Sequence, residues 1–443
     1  MPSRRSARSD RSSAAVPRRR LTRFARFGGL ATGIAGDLLL NGAKSLAQGQ
    51  RPDLRKLLLT PSNAERVTDE LARLRGAAMK LGQLLSMDAS DFLPPELAEI
   101  LARLRSDADA MPATQLRAAL DDAWGVGWRM RFENFDMAPI AAASIGQVHR
   151  AQARDGRDMA IKIQYPGVRD SIDSDVDNVA TLIRLSGLLP ADVDIEIFLD
   201  EAKRQLHDEA DYHREGAYLH KFGGLLAADK DYALPTLYDD LTTSTTLAMS
   251  YVGGAPIESF DRAPQALRNR IVSLLIKLMF RELFDFRLMQ TDPNFANYQY
   301  DADSKKIVLL DFGASRDISA SLVEGYRTLL AAAYADDIPA VVDAAVKIGF
   351  FDAATVDAHG AVITEMFAAS MEPIRIKGPY DFGASDLPNR LRDLGLALSQ
   401  EDVYGHVPPT ETLFLQRKFA GVFMLANRLG ATAHVRRLIK PFL

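Results

Sequence analysis

The sequence predicts an α+β fold, in which a helical beginning is followed by a small antiparallel sheet and then by a mostly helical second part. Apolar residues recur at three- and four-residue spacing from Ala64 to Met87, which is typical of an amphipathic helix. From about Arg131 the pattern becomes strand-like, and after Asp317 it is helical almost to the end. Because 443 residues exceed one typical core, we expect two lobes or two domains.

The N-terminus is strongly basic, although the whole chain carries a formal net charge of -4. Arginines dominate the first 26 residues, where Asp10 is the acidic exception. The segment 27–40, FGGLATGIAGDLLL, is shorter than the roughly 20 apolar residues that span a bilayer. We interpret residues 1–50 as a basic, disordered tail plus this short apolar segment. An interfacial anchor, a signal-like segment, an organellar presequence and an ordinary packed helix are all compatible with the segment.

The composition excludes several classes of function. The chain contains no cysteine, so it has no disulfide, no thiolate metal site and no cysteine nucleophile. Hydrophobic residues make up 47% and charged residues 25% of the chain, as in soluble globular proteins. We expect neither redox chemistry nor nucleic-acid binding.

Two strand-like runs, VHRAQA and MAIKIQY, are separated by residues 154–157, where an Asp-Gly pair favours a tight hairpin turn. Lys162 lies in the second run, and its neighbours Ile161 and Ile163 point to the opposite face. A lysine in such a strand can reach nucleotide phosphates. A solvated lysine on an edge strand is the simpler interpretation of the strand alone. Lys162 is therefore a candidate phosphate-binding residue.

Such a lysine needs an acidic partner that fixes its side chain. In the helical run DEADYHRE the candidates are Glu209 and Asp211. Further carboxylates surround them, so a solvated acidic face remains an open alternative.

The loop before the sheet contains Ala141, Ala142, Ala143 and Ser144, where kinases carry a glycine-rich phosphate loop. Alanine restricts the positive φ angles and the close backbone approach that glycine permits. If this loop contacts phosphates, we expect it to alter nucleotide preference and restrain turnover. A tight turn packed against the sheet is the alternative.

Three residues in the second half form the pattern of a phosphoryl-transfer site. Asp292 and Asn297 stand five residues apart in QTDPNFAN, and Asp311 opens a DFG triplet after an apolar strand at 307–310. Phosphoryl transfer uses a carboxylate near the attacking oxygen and hard oxygen ligands for magnesium. Asp292, Asn297 and Asp311 together supply all three groups. Gln290 and Thr291 replace the usual His-Arg, which indicates a divergent loop.

Together these patterns predict a two-lobed, protein-kinase-like fold with an all-helical N-terminal extension. We assign residues 51–128 to the extension, 129–252 to a first lobe with inserted helices, and 253–443 to a helical second lobe with the catalytic and DFG loops. Met249 and Tyr251, at the end of the first lobe, are expected nucleotide contacts.

The extension contains the sequence KLGQ at positions 80 to 83. Lys80 and Gln83 are neighbours at i and i+3 on a helix, and Gly82 removes bulk between them. Taken alone, such a pair is usually part of a solvated surface.

In this combination and order, the motifs resemble the UbiB/AarF family of atypical kinases, which includes mitochondrial proteins required for coenzyme Q biosynthesis. The resemblance covers about residue 60 to the C-terminus and is carried by KLGQ, the AAAS loop, AIKIQYPGV, EAD, QTDPNFAN and LLDFGA. The QTDP form is closest to the mitochondrial coenzyme Q branch and its bacterial relatives.

The resemblance implies several roles for individual residues. The helices bearing KLGQ would fold over the active site, with Lys80 and Gln83 facing the pocket as catalytic residues and large protein substrates disfavoured. Lys162 would pair with Glu209 and take part in catalysis with Asp292, the catalytic-loop carboxylate. Asn297 and Asp311 would hold magnesium. The alanine loop would favour an unusual, ADP-leaning nucleotide response.

The resemblance also implies an ATP- and magnesium-dependent kinase or ATPase that supports ubiquinone biosynthesis, with water or a small lipid-like molecule as acceptor. Expected partners are membrane lipids or isoprenoid quinone precursors and coenzyme Q biosynthesis enzymes, with a homodimer as an open alternative. The expected location is peripheral, on the cytoplasmic face of a bacterial inner membrane or the matrix side of the mitochondrial one.

Two other functions remain open at this point. The first is a nucleotide-binding pseudokinase scaffold for lipid biosynthesis enzymes, although the retained Lys162, Asp292, Asn297 and Asp311 favour chemistry. The second is a phosphotransferase that modifies an antibiotic-like molecule, which leaves KLGQ and the alanine loop unexplained.

Overall fold

The computed structural model describes residues 111–185, 196–399 and 408–443. The predicted basic tail, the apolar segment at 27–40 and the helix that carries Lys80 and Gln83 lie outside the described residues.

Helices and short strands alternate along the described residues. Up to residue 251 they are helix α1 (Ala113–Trp124), strands β1 (Phe132–Phe135), β2 (Ala141–Ala142), β3 (Gly146–Ala153) and β4 (Asp158–Gln164), helices α2 (Val168–Leu185), α3 (Glu196–Glu209) and α4 (Tyr212–Leu226), and strands β5 (Tyr232–Ala233) and β6 (Thr246–Ser250). After residue 251 follow β7 (Ala255–Pro256), α5 (Gln265–Arg281), a π-helical turn (Glu282–Phe286), β8 (Leu288–Gln290), β9 (Tyr298–Asp301), β10 (Lys306–Leu309), β11 (Ser315–Asp317), α6 (Ala320–Ala335), α7 (Ile338–Ile348), α8 (Ala353–Ser370), α9 (Glu372–Arg375), β12 (Tyr380–Asp381), α10 (Leu387–Ser399), α11 (Thr410–Arg428), β13 (Thr432–Ala433) and α12 (Val435–Ile439).

The chain divides into two compact units. The first comprises the described residues up to Gly216 together with Leu237–Tyr251. The second comprises Ala217–Thr236 and Val252–Leu443.

The first unit is built around an antiparallel sheet with the strand order β1-β3-β4-β6, and β2 also pairs with β3. Strands β3 and β4 are the two strand-like runs of the sequence, and the turn between them confirms the predicted hairpin. Gly156 has a φ of 91° in this turn, which glycine adopts without the steric penalty of a Cβ atom.

Helix α1 covers one face of this sheet. Its Leu116 and Leu120 are fully buried in one hydrophobic cluster with Ile161 and Ile163 of β4. Successive side chains of a strand point to opposite faces, so Lys162 lies on the other face of β4. The packing of α1 thereby fixes which way Lys162 points.

The second unit contains a four-stranded sheet in the order β5-β10-β9-β7 and two strand pairs, β8 with β11 and β12 with β13. Residues 307–309 of the predicted apolar strand lie in β10, and the apolar run at 268–284 lies in α5 and the start of the π-helical turn. The pairing of β8 with β11 joins the segments that lead into and out of the two predicted loops. Among the described residues, no helix combines the length and apolar character that crossing a bilayer requires.

Candidate active site

In the first unit, Lys162 forms a buried ion pair with Glu215. Its Nζ lies 2.5 Å from Glu215 Oε1, and the two side chains are 8% and 4% exposed. The predicted pairing of Lys162 with Glu209, and Asp211 as the alternative partner, are therefore wrong. As expected, an acidic side chain fixes Lys162, but it belongs to Glu215.

A helix break explains this correction. The sequence pattern from Ile197 to Lys221 is that of one helix, but α3 ends at Glu209 and α4 begins at Tyr212. Between them, Asp211 Oδ1 accepts the backbone N–H of Arg214 at 3.1 Å and so caps the start of α4. The break changes the helical phase, and Glu215 is the carboxylate that reaches β4.

Glu209 instead holds the alanine loop. Its Oε2 accepts a hydrogen bond from Ser144 Oγ at 2.6 Å. Ala141 and Ala142 form β2 on the edge of β3, and the Ala143 N–H donates to Gly146 O at 2.9 Å. The AAAS residues are thus a tight turn fastened to the end of α3, and their contact with nucleotide stays a prediction.

A chain of hydrogen bonds connects the start of the described residues to the sheet. The Met111 N–H donates to Gln147 Oε1 at 2.8 Å, Gln147 Nε2 lies 2.7 Å from His149 Nε2, and His149 Nδ1 lies 2.8 Å from Asp136 O. With Nδ1 donating to the carbonyl and Nε2 accepting from the amide, His149 is neutral. Burial lowers the pKa of His149, in agreement with this tautomer.

The other two predicted nucleotide contacts lie at the end of β6. Met249 is buried and pairs with Ala160 of β4. Tyr251 is partly buried, with the Arg150 guanidinium 3.9 Å from its ring centroid. Their contact with nucleotide stays a prediction.

In the second unit, Asp292 and Asn297 lie side by side. Asn297 Nδ2 donates to Asp292 Oδ2 at 3.2 Å. A short 3-10 turn at Phe295–Asn297 folds the loop back, and Asn294 Oδ1 caps this turn by accepting the Ala296 N–H. This capped turn lies between Asp292 and Asn297 in the chain and brings their side chains together.

The loop that carries Asp292 is joined to the DFG loop by hydrogen bonds. Thr291 Oγ1 donates to Ala314 O at 2.7 Å, and the Leu310 N–H donates to Asn297 O at 3.1 Å. Asp311 Oδ1 accepts the Gly313 N–H at 3.0 Å, which orients the carboxylate. The two predicted loops thus form one connected structure.

The residues of this structure fit a magnesium ion. The amide nitrogen of Asn297 donates a hydrogen bond to Asp292, which leaves Asn297 Oδ1 as the amide atom suited to a cation. Asp311 adds a carboxylate. Magnesium prefers oxygen ligands and takes several from water and phosphates, so two protein ligands suffice. Among the described residues, no group of three His, Asp or Glu side chains forms an all-protein metal site.

Lys418 of α11, to which no motif pointed, lies buried behind the catalytic loop. Its Nζ donates to Gln290 O at 2.9 Å and to Tyr298 Oη at 2.8 Å, and lies 3.0 Å from Glu282 Oε2. The available signal was a lysine inside the apolar run LFLQRKFAGVF, because lysine is rarely fully buried without a partner.

The charges of this cluster influence one another. Burial raises the pKa of Glu282, and the Lys418 ammonium offsets part of that rise. Burial alone would lower the pKa of Lys418, but the Glu282 carboxylate and the Tyr298 oxygen outweigh it and raise that pKa. Lys418 therefore stays protonated, and its hydrogen bonds are charge-assisted.

Comparison with known proteins identifies the family. Residues 103–345 match the ABC1 atypical kinase-like domain. The chain is 36% identical over 431 residues to atypical kinase COQ8, mitochondrial, of Saccharomyces cerevisiae, which covers 97% of this chain and 85% of the yeast protein. It is 39% identical over 435 residues to atypical kinase COQ8B, mitochondrial, of Rattus norvegicus, and this match covers 98% of this chain and 82% of the rat protein.

A solved structure has the same fold. The complex of Rv3197 with erythromycin from Mycobacterium tuberculosis has a TM-score of 0.58 and 24% sequence identity to this chain. The match covers 86% of this chain and 96% of that one. The predicted kinase-like α+β fold is confirmed.

These relatives confirm the resemblance given by the motifs, and with it a kinase or ATPase role in coenzyme Q biosynthesis. They favour phosphotransferase chemistry, and nothing in them favours the pseudokinase scaffold. The chain belongs to the ABC1 family of atypical kinases.

Proposed function

We propose that this chain acts on magnesium-bound ATP at a membrane surface, with water or a small isoprenoid-like molecule as the phosphoryl acceptor. The observation that carries the proposal is the 3.2 Å contact between Asn297 and Asp292, on a loop that is hydrogen-bonded to the DFG segment. This contact supports a carboxylate and a metal-binding amide that act together, as phosphoryl transfer requires.

Each polar residue has a proposed role. Asp292 orients the attacking oxygen of the acceptor and accepts its proton. Lys162, fixed by Glu215, binds the phosphates. Asn297 and Asp311 would hold magnesium, which supplies charge neutralisation on the phosphate oxygens when bound.

The remaining roles rest on the resemblance to the family. We propose that residues 141–144 and Asp211, as the cap of α4, shape the nucleotide side of the first unit and favour ADP. Met249 and Tyr251 are proposed nucleotide contacts. Lys80 and Gln83, outside the described residues, are proposed to cover the site and exclude bulk water.

An apolar cavity in the second unit supports an isoprenoid-like ligand. Its volume is about 430 Å³, within the range of about 300–1,000 Å³ that is common for small-molecule sites. Its walls come from α5, α6, α8, α10 and α11, and include Phe350, Phe367, Phe419, Met366 and Met424. Among the described residues, no charged side chain lines it, so an uncharged chain fits better than a phosphate.

A separate cleft formed by α8, α9 and α10 is polar. Three carboxylates line it, from Glu365, Glu372 and Asp393, with two guanidiniums, from Arg375 and Arg390. Arg390 lies 2.6 Å from Glu372, and Arg375 forms an ion pair with Asp336. A diphosphate would therefore meet more negative than positive charge.

Location and partners are proposed from the relatives. These relatives carry "mitochondrial" in their names, which supports a mitochondrial location. A peripheral site on the matrix side of the inner membrane, or on the cytoplasmic face of a bacterial inner membrane, stays a prediction. We also propose contact with membrane lipids and with coenzyme Q biosynthesis enzymes. A homodimer stays a prediction.

Phosphate release from ATP with magnesium, with and without anionic-lipid liposomes, tests the proposed reaction. We expect turnover by the parent, a rise with liposomes, and loss in Asp311→Asn. Asp303→Asn, on an exposed turn, is the matched control and keeps parental turnover. Absence of turnover by the parent in both conditions would contradict the proposal.

Photocrosslinking with a diazirine analogue of farnesol tests the cavity. We expect labelled peptides that contain Met366 or Met424, and less labelling in Ala420→Trp, which fills the cavity from α11. Ala361→Trp, on an exposed face of α8, is the matched control and keeps the label. Farnesol should compete better than farnesyl diphosphate. Equal labelling of the two tryptophan variants would contradict the proposal that the isoprenoid-like ligand binds in this cavity.

A further inference from the structure

We propose that Lys418 is a positioning residue for catalysis, which holds both ends of the catalytic loop and so keeps Asp292 and Asn297 in their productive arrangement. The inference rests on the roles proposed above for Asp292 and Asn297. It adds a residue from helix α11, which lies outside every motif of the sequence.

The first support is that the Lys418 ammonium makes two hydrogen bonds, to Gln290 O and Tyr298 Oη, and one ion pair, with Glu282. An ammonium group carries three N–H groups, and three oxygens lie within 3.0 Å of it, from Gln290, Tyr298 and Glu282. Lys418 and Glu282 are both 2% exposed. A buried charge with three oxygen partners has little freedom to move, so it is a fixed point behind the loop.

The second support is where these partners lie in the chain. Gln290 ends β8 two residues before Asp292, and Tyr298 directly follows Asn297 at the start of β9. Lys418 therefore bridges the two strands between which the catalytic loop is formed. A change in its position would move both ends of the loop.

The third support is a second contact of the same helix with the loop. Gly421 lies three residues after Lys418, where a Cβ atom would come within 2.2 Å of Pro293 Cβ. Pro293 directly follows Asp292. Helix α11 therefore lies against the loop itself as well as against its ends.

Replacing the Lys418–Glu282 ion pair by apolar residues separates positioning from stability. A buried ion pair can often be replaced by apolar residues of similar size without loss of stability, whereas removing one partner leaves an uncompensated buried charge. Two methionines in place of Lys418 and Glu282 fill similar space but donate no hydrogen bond to Gln290 O or Tyr298 Oη. This difference separates positioning from packing.

The test compares Lys418→Met, the double variant Lys418→Met with Glu282→Met, and Tyr298→Phe in the full chain. Lys347→Met, on an exposed position of α7, is the matched control. ATP turnover gives kcat and KM, thermal unfolding gives Tm, and nucleotide binding is measured separately by titration with ADP. We expect Lys418→Met to lower Tm strongly, and the double variant to recover most of that loss.

The double variant is the decisive one. We expect its kcat to fall at least about tenfold with KM within about threefold, because the loop loses its alignment while the phosphate-binding residues remain. Parental kcat in a folded double variant would overturn the inference. If that variant fails to fold, Tyr298→Phe decides: a several-fold lower kcat at unchanged KM supports positioning, and parental kcat overturns it. If the parent protein itself shows no ATP turnover, the proposed function is contradicted instead.

Discussion

Lys162 and Glu215 form an ion pair with 2.5 Å between ammonium and carboxylate, buried on the face of β4 opposite to the one that α1 covers. We predict that Glu215→Ala lowers the free energy of unfolding by about 3 kcal/mol, because it removes the carboxylate from a buried ion pair. It should also raise KM for ATP, since Lys162 loses its fixed orientation. Chemical denaturation and initial rates measure the two effects.

Glu209→Ala is the matched control for this prediction. It removes the acceptor of the Ser144 hydrogen bond but leaves the buried Lys162–Glu215 ion pair in place, so it should lower the free energy of unfolding by less than Glu215→Ala does. Equal costs for the two variants would contradict the assignment of Glu215 as the partner of Lys162.

The metal requirement should depend on Asn297 and not on its neighbour in the same turn. Asn297→Ala removes a proposed ligand and should raise the magnesium concentration for half-maximal turnover at least about tenfold. Asn294→Asp keeps the cap on the Ala296 N–H and should leave that concentration nearly unchanged. A magnesium titration of ATP turnover measures both. An unchanged requirement in Asn297→Ala would remove Asn297 from the metal site.

Acid should weaken the first unit through His149. Its folded pKa is lowered by burial below the ordinary value of 6.5, so the unfolded chain binds the proton more readily. Stability is therefore full above pH 6.5 and falls as the pH drops from 6.5 toward the folded pKa. Unfolding between pH 8 and pH 5 should show this slope in the parent and in His213→Gln, an exposed control. The His149→Phe variant should be less stable, but its stability should depend less on pH. An unchanged pH dependence in this variant would refute the assignment of the effect to His149.

The buried side chain of Gln290 should reduce stability. Both atoms of its amide are buried without a hydrogen-bond partner among the described residues. Gln290→Met, which is close to isosteric, should raise the free energy of unfolding by about 1 kcal/mol. Gln147→Met is the contrast, because that amide bonds at both ends, and it should lose about 1–3 kcal/mol. Destabilisation by both variants to the same extent would contradict this account.

Local patterns were enough to predict most of the fold. The Asp-Gly turn predicted the β3–β4 hairpin, and the alternation of Ile161, Lys162 and Ile163 indicated the two faces of β4. The D-x-x-x-x-N spacing and the DFG triplet likewise depend on neighbours in sequence, and hydrogen bonds join the two loops that carry them. Such features need no knowledge of distant packing.

The errors and omissions arose where tertiary packing decided the outcome. Whether Glu209 or Glu215 reaches Lys162 depends on the helix break that Asp211 caps, which a helical period alone does not show. Lys418 lies 128 residues from Gln290, so its contact with that residue depends on how α11 packs. Long-range contacts of this kind leave little trace in local sequence patterns.

The most direct test of the central claim is ATP turnover by Asp292→Asn, with nucleotide binding measured on the same protein. This substitution keeps the shape of the side chain but removes the carboxylate that would orient the acceptor and take its proton. We predict that kcat falls about 100-fold or more while the affinity for ATP stays within about threefold. Parental turnover in Asp292→Asn would contradict the claim that this loop performs phosphoryl transfer.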